Sequence, residues 1–342
     1  MFGNIKPFYD IIITVMEIIF QILLLVIGFI LLIKGADWLV DGASSVASNF
    51  KVSKLLIGLT IVAFGTGAPE LAVSFSSLFN GSTDILVGNV IGSNIINVLL
   101  LIGVAAIIRP IRVKKDTVSK ELPLLLLIST ALIILLLDTS LAEAITNTFS
   151  RADAIICLLF FGIFLYYLIA MARKNRRGKS AKKETEKPKY KLGKSFLFVI
   201  LGLIGVVGGS QLVVSSASFV ASAIGISERV ISLSIIALGT SLPELVTTIT
   251  AAKKGESDLL VGNIVGSNIF NICIVLALPI AISGGISPEN FEIIDLIMLV
   301  FSAFLICVLA RNNHKITRAE GILMLIIFLL YYGYIVYGAI AA

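Results

Sequence analysis

Gly65–Leu71, GTGAPEL, returns 174 residues later as Gly239–Leu245, GTSLPEL, and Leu86–Asn97, LVGNVIGSNIIN, returns at the same offset as Leu260–Asn271, LVGNIVGSNIFN. Working outward, residues 35–103 align without a gap onto 209–277, with 28 of 69 positions identical. Similarity over that length marks an internal duplication, so chemistry placed by one copy is placed again by the other.

The setting of these copies is apolar. Of 342 residues, 58% are hydrophobic and 14% charged, and mean hydropathy is +1.04. An average soluble domain is about 45–50% apolar and about 25% charged. A single soluble core cannot bury so much apolar surface, which excludes an ordinary soluble enzyme and makes lipid the solvent. Charged and turn-forming breaks divide the chain into ten spans near 18–48, 53–79, 84–108, 121–138, 151–172, 195–223, 228–252, 257–281, 291–310 and 317–340, each near the length a bilayer requires. Met1–Glu17 lacks a basic leader and a small-residue cleavage site, and reads as an extension of the first span.

Five spans separate equivalent positions of the two copies. Five is odd, so the second copy crosses the bilayer in the opposite direction. The expectation is an all-α polytopic membrane protein with ten transmembrane helices in two inverted five-helix repeats. Residues 1–172 hold the first half with repeat 35–103, 173–194 form a linker, and 195–342 hold the second half with repeat 209–277. Inverted repeats with Gly/Pro-interrupted spans point to a secondary transporter whose site lies at the midplane between the halves.

The net charge of +6 is concentrated in the linker, where 173–194 carries eleven Lys/Arg and two Glu, or +9, leaving −3 elsewhere. Such a run beside spans reads as a topology signal or an anionic-lipid contact before it reads as a nucleic-acid patch, and no nucleic-acid partner is expected. Placing the linker in the cytoplasm puts twenty-three of twenty-seven basic residues on that side and both termini outside the cell. Cys157, Cys273 and Cys307 lie in apolar runs without metal-type spacing and read as packing residues. Asp37, Trp38 and Asp41 have no equivalents in the second copy and read as interfacial anchors, and His314 reads as a solvated loop residue.

Most acidic residues fall near span ends. Glu70 and Glu244 lie well inside the second and seventh spans, at one position of the repeat. A carboxylate there is disfavoured by about 2.5–3.5 kcal/mol unless it meets a cavity or a partner. Apart from Lys54 and Arg229 at their outermost ends, the second, third, seventh and eighth spans hold no basic residue, so the counter-charge reads as a mobile cation. Pro69 and Pro243 precede the glutamates and glycines precede the prolines, so each helix should break there. The carbonyls freed near Ala63 and Thr66, and near Ala237 and Thr240, then become oxygen ligands. Ala63, Thr66, Gly67 and Glu70 recur at i, i+3, i+4 and i+7 and share one helical face, as do Ala237, Thr240, Ser241 and Glu244. Ser93 with Asn97, and Ser267 with Asn271, add neutral oxygens at i, i+4. Asn94, Asn268, Asn89 and Asn263 fall off that face and read as interhelical hydrogen-bonding residues. Carboxylates, carbonyls, hydroxyls and amides without His or Cys are the donor set of a hard cation such as Ca²⁺.

The doubled GT-x-x-PE and GN-x-x-GSN-x-x-N motifs resemble the alpha repeats of the calcium/cation antiporter superfamily, most of all its prokaryotic sodium/calcium exchanger-like branch, and the resemblance covers essentially the whole chain. It implies Ca²⁺ held by Glu70 and Glu244 with the carbonyls of Thr66 and Thr240. It implies flanking Na⁺ sites that draw on the carbonyls of Ala63 and Ala237 and on Ser93, Ser241, Ser267, Asn97 and Asn271. It also implies that the first and sixth spans slide as a pair across the other eight. Two residues depart from the pattern: Gly67 stands where many relatives have serine, and Asn271 where some have aspartate, which bears on the number of Na⁺ sites.

The function expected is Ca²⁺/Na⁺ antiport by alternating access at a prokaryotic plasma membrane, usually extruding Ca²⁺, with no enzyme activity, no cofactor and no obligate protein partner. An H⁺/Ca²⁺ antiporter on the same fold is the alternative and a cation channel a remote one. An intramembrane protease lacks its paired aspartates or Ser/His motif here.

Overall fold

The computed structural model describes residues 6–137, 147–177, 188–224, 237–288 and 293–341, the backbone alone for 6–15, 174–177, 237 and 339–341. The protein is mostly helical. We label the helices α1 (Lys6–Phe50), α2 (Lys54–Thr66), α3 (Ala68–Phe79), α4 (Thr83–Ile108), α5 (Thr117–Leu136), α6 (Arg151–Arg177), α7 (Leu192–Ala223), α8 (Leu242–Lys254), α9 (Ser257–Ser283), α10 (Ile293–Arg311) and α11 (Arg318–Ala341). Eight of them are long and apolar enough to cross a membrane, and α2 with α3, bent by 43°, would make a ninth span. The seventh span, expected at 228–252, lies outside the described residues as far as 236, and so do residues 178–187 of the basic linker.

The helices are layered by apolarity. The central positions of α4 and α9 are buried almost throughout, whereas α1, α6 and α11 expose rows of large apolar side chains such as Phe20, Ile30, Leu159, Tyr166, Leu329 and Leu330. An apolar outer surface around a buried helical centre is the arrangement that lipid selects.

α1 and α7 pack against each other along most of their length, in opposite directions. Glycines make this possible. A Cβ on Gly35 would lie 2.6 Å from the Val206 nitrogen, one on Gly202 2.5 Å from the Leu39 nitrogen, and one on Gly209 2.7 Å from the Gly28 carbonyl oxygen. Small residues that let backbones touch are what associates helices in lipid, where no hydrophobic gain is available.

Short devices fix the helix ends. Ser150 and Asp153 cap α6 reciprocally, with the Ser150 N–H donating to Asp153 Oδ2 at 2.8 Å, and Thr317 and Glu320 cap α11 in the same way at 2.6 Å. Two-residue strands, β1 (Ile111–Arg112), β2 (Phe149–Ser150), β3 (Gly285–Ile286) and β4 (Lys315–Ile316), pair antiparallel as β1 with β4 and β2 with β3, tying loops of one half to loops of the other. Gly81 and Gly255, equivalent in the repeat, both turn the chain in the left-handed region, at φ 72° and 75°. Asp37 and Asp41 are more than anchors, because Lys254 at the end of α8 pairs with both, at 3.2 and 2.9 Å. The three cysteines are free.

Candidate functional site

The two broken helices meet the expectation from proline and glycine. α2 ends at Thr66, Gly67 takes φ −79°, ψ 3°, and α3 starts with Pro69 in its first turn. In the second copy Ser241 takes nearly the same conformation, φ −88°, ψ 3°, before α8, with Pro243 in the first turn. Proline is tolerated there because the first turn has no partner for its N–H. The break places Glu70 and Glu244 in the first turns of α3 and α8, where the positive end of the helix dipole favours an anion. Both are 1% exposed. The two carboxyls lie close enough for their charges to interact, and the Thr66 side chain reaches Glu244.

The asparagines explain how the neutral oxygens are aimed. Asn94 and Asn268 donate to each other's backbone carbonyls, both at 3.2 Å. Asn97 then donates its amide to Asn268 Oδ1 at 2.9 Å, and Asn271 donates its amide to Asn94 Oδ1 at 3.2 Å. Every bond in this set has its counterpart in the other copy. These bonds fix the amides of Asn97 and Asn271 by their NH₂ groups and leave their carbonyl oxygens without a donor. The helical turns here widen to the π form over Ile96–Leu101 and Asn271–Leu276, a local irregularity frequent at functional sites. The first packs against α8, which carries Glu244, and the second against α3, which carries Glu70.

Among the described residues, Glu70 Oε2, Glu244 Oε2, Asn97 Oδ1, Asn271 Oδ1, Ser241 Oγ and Ser267 Oγ are buried without a hydrogen-bond partner. Buried polar atoms are normally satisfied, at a cost of about 1–3 kcal/mol when they are not. An excess of unpaired oxygens over donors is a feature that a cation cures and a hydrogen bond does not. No group of three or more His, Cys, Asp or Glu forms a metal cluster among the described residues.

The remaining expected residues fall as follows. Ser93 is buried at 3%, and Ala63 and Thr66 are fully buried. The Ala63 carbonyl accepts from the Gly67 N–H at 3.0 Å, and the Thr66 hydroxyl donates to the Val62 carbonyl at 3.0 Å. Gly67 sits under Phe270, where an added Cβ would come within 3.1 Å of the ring. Ala237 opens a short helical turn with only its backbone described, and Thr240 lies in the turn that follows. Ser210 donates to the Gly239 carbonyl at 2.9 Å and pins that turn to α7. Asn89 donates to the Glu70 carbonyl at 3.4 Å, and the Thr66 hydroxyl stands 3.5 Å from Asn263 Oδ1, so these asparagines brace the broken helices.

Two pairs escaped the sequence reading. Ser74 and Thr248, four residues after each glutamate, are fully buried with unpartnered hydroxyls. Glu121 is bonded by Tyr167, and Asp295 accepts from Tyr331 at 2.7 Å, which links α5 to α6 and α10 to α11. All four non-tyrosine positions obey the 174-residue offset beyond or within the aligned copies, and that was the available signal.

The family model described as sodium/calcium exchanger protein matches residues 20–170 and 194–337. The sodium/calcium exchanger MaX1 of Methanosarcina acetivorans is 30% identical over 319 residues, covering 84% of this chain and 90% of that protein. The inner membrane protein YrbG of Escherichia coli K12 is 38% identical over 288 residues, covering 82% and 86%. The sodium-calcium exchanger NCX_Mj, in a structure soaked with 2.5 mM Na⁺ and 1 mM Sr²⁺, superposes with a TM-score of 0.78 at 34% identity, covering 92% of this chain and 97% of that one. This chain is therefore an integral membrane protein of the sodium/calcium exchanger family, a family of cation transporters and not of enzymes.

Proposed function

We propose that the protein is an antiporter that exchanges Ca²⁺ for Na⁺ by alternating access and uses the sodium gradient to extrude Ca²⁺ from the cell. The observation that carries this reading is the matched pair of buried glutamates, each with an unpartnered carboxylate oxygen, beside unpartnered amide and hydroxyl oxygens from both copies. Glu70, Glu244, Asn97, Asn271, Ser93, Ser267, Ser241 and the carbonyls of Ala63, Thr66, Ala237 and Thr240 are the proposed ion ligands. Gly67 contributes backbone only.

Coupling follows from electrostatics. Two carboxylates neutralise one Ca²⁺ or two monovalent ions, and a third Na⁺ leaves one positive charge. Returning empty would carry two bare carboxylates through low-dielectric surroundings, which is costly by several kcal/mol per charge. The carrier therefore moves only when loaded, and release of one species waits on capture of the other. We assign the frame as ten spans in two inverted halves, 1–172 and 195–342, with the linker in the cytoplasm of a cell whose plasma membrane holds the protein and both termini outside. The antiparallel packing of α1 on α7 and the exchanged bonds of the asparagine quartet support that frame.

The test is ⁴⁵Ca²⁺ uptake into proteoliposomes loaded with Na⁺, beside liposomes with only a pH gradient. Uptake driven by the outward Na⁺ gradient is expected. Uptake driven by the pH gradient alone would replace Na⁺ with H⁺ as coupling ion, and flux without any counter-ion would make the protein a channel.

A further inference from the structure

Away from the glutamates, a cavity of about 590 Å³ lies between the start of α5 and the end of α10. It falls within the roughly 300–1,000 Å³ range of small-ligand sites. Its rim is cationic: Lys115 precedes α5, Arg311 ends α10, and His314 stands in the following loop. Its wall is apolar, built from Val118 and Leu126 of α5 and Cys307 of α10.

The rim charges differ from most of their neighbours. Lys54 pairs with Glu256, Lys114 with Asp258, Lys120 with Asp116, and Lys254 with Asp37 and Asp41. Among the described residues Lys115, Arg311 and His314 enter no ion pair, although Asp116 adjoins Lys115. The loop that carries His314 is held in place: Asn313 and His314 both adopt left-handed backbone, at φ 54° and 51°, and the His314 carbonyl accepts from the Val113 N–H at 2.9 Å. Lys315 beyond it pairs with Arg112 in the β1–β4 ribbon. Two cations and an imidazole thus converge at one end of two apolar helices long enough to cross a membrane. Below them the outer faces of the same helices are apolar and exposed, at Leu127, Phe304 and Val308.

We propose that this cavity is a binding site for an anionic phospholipid, its phosphate held by Lys115, Arg311 and His314 and an acyl chain entering the apolar wall. Cations at headgroup level and an apolar slot opening onto lipid-facing helices match both ends of that molecule, and a basic pocket between spanning helices is a recognised form of headgroup site. A soluble phosphate would use the rim and leave the wall unfilled.

The experiment uses the full chain in nanodiscs of mixed phosphatidylglycerol and phosphatidylcholine, and reads by native mass spectrometry which lipids stay bound after transfer to detergent. Wild type should retain phosphatidylglycerol over phosphatidylcholine, and the triple variant Lys115→Gln, Arg311→Gln, His314→Gln should lose that preference by about tenfold or more. Arg311→Gln alone should shift it in the same direction. The control Lys51→Gln, Lys253→Gln removes the same two lysine or arginine charges elsewhere and should leave the preference intact. Equal loss in the triple variant and the control, or no loss in either, would overturn the site. Displacement of the lipid by millimolar inorganic phosphate would assign the rim to a free anion instead. None of these readouts involves Ca²⁺ transport, so the outcome is independent of the antiporter reading.

Discussion

The two copies of the repeat carry the same glutamate and proline chemistry and differ in the residues beside it. In the second copy, Gly262 and Gly266 of α9 are buried against α2: a Cβ on Gly262 would lie 2.5 Å from the Leu55 carbonyl oxygen and one on Gly266 2.8 Å from the Leu59 Cα. Their equivalents on α4 are Gly88 and Gly92, and the segment equivalent to Leu55–Val62, residues 229–236, lies outside the described residues. The difference between the copies sits beside the glutamates. Gly67 of the first copy and Phe270 of the second correspond to Ser241 and Ile96, so a hydroxyl is traded for space under an aromatic ring.

The largest effect expected tests what the halves share. Glu70→Gln and Glu244→Gln should each abolish Ca²⁺ exchange in proteoliposomes, a loss of at least about 100-fold, while the protein still elutes as a folded species. Wild-type-like exchange in either variant would break the equivalence of the two acids. Next, Gly262→Ala should lower thermal stability by about 1–3 kcal/mol in a thermal scan, because backbone stands where the methyl must go. No loss would remove the backbone contact between α9 and α2 at that glycine. Gly67→Ser should destabilise alone, and adding Phe270→Ile should relieve the crowding and supply the missing oxygen. The double variant should then reach half-maximal exchange at a Na⁺ concentration a few-fold lower, measured by titrating Na⁺ against ⁴⁵Ca²⁺ flux; no shift would mean that the hydroxyl lies outside the ion path. Smallest is the pair that joins α8 to α1: Lys254→Gln should cost about 0–1 kcal/mol in a thermal scan at low salt and nothing at high salt, since the pair is partly exposed.

Much of this was legible before any coordinates. The bend at Gly67 follows from Pro69, and the matching backbone of Ser241 follows from Pro243, because a missing N–H and a ring clash act locally wherever the chain lies. The span positions were legible because hydrocarbon thickness fixes helix length. The asparagines were harder. Asn94 and Asn268 read as interhelical hydrogen-bonding residues, and they bond across the copies, yet they also take up amide protons of Asn97 and Asn271, a role no spacing within one helix encodes. The partners of Asp41 were hidden for the same reason, since Lys189 is 148 and Lys254 213 residues away.

Sequence by itself determined the duplication, the apolar class, the two broken helices and the identity of the unpaired acids, because periodicity, proline chemistry and the cost of charge in lipid are properties of short segments. Only the tertiary structure decided that α9 meets α2 backbone to backbone at Gly262 and Gly266, which oxygens are left without donors, and that Phe270 fills the space over Gly67. Those outcomes depend on contacts between segments far apart in the chain, which no short segment encodes.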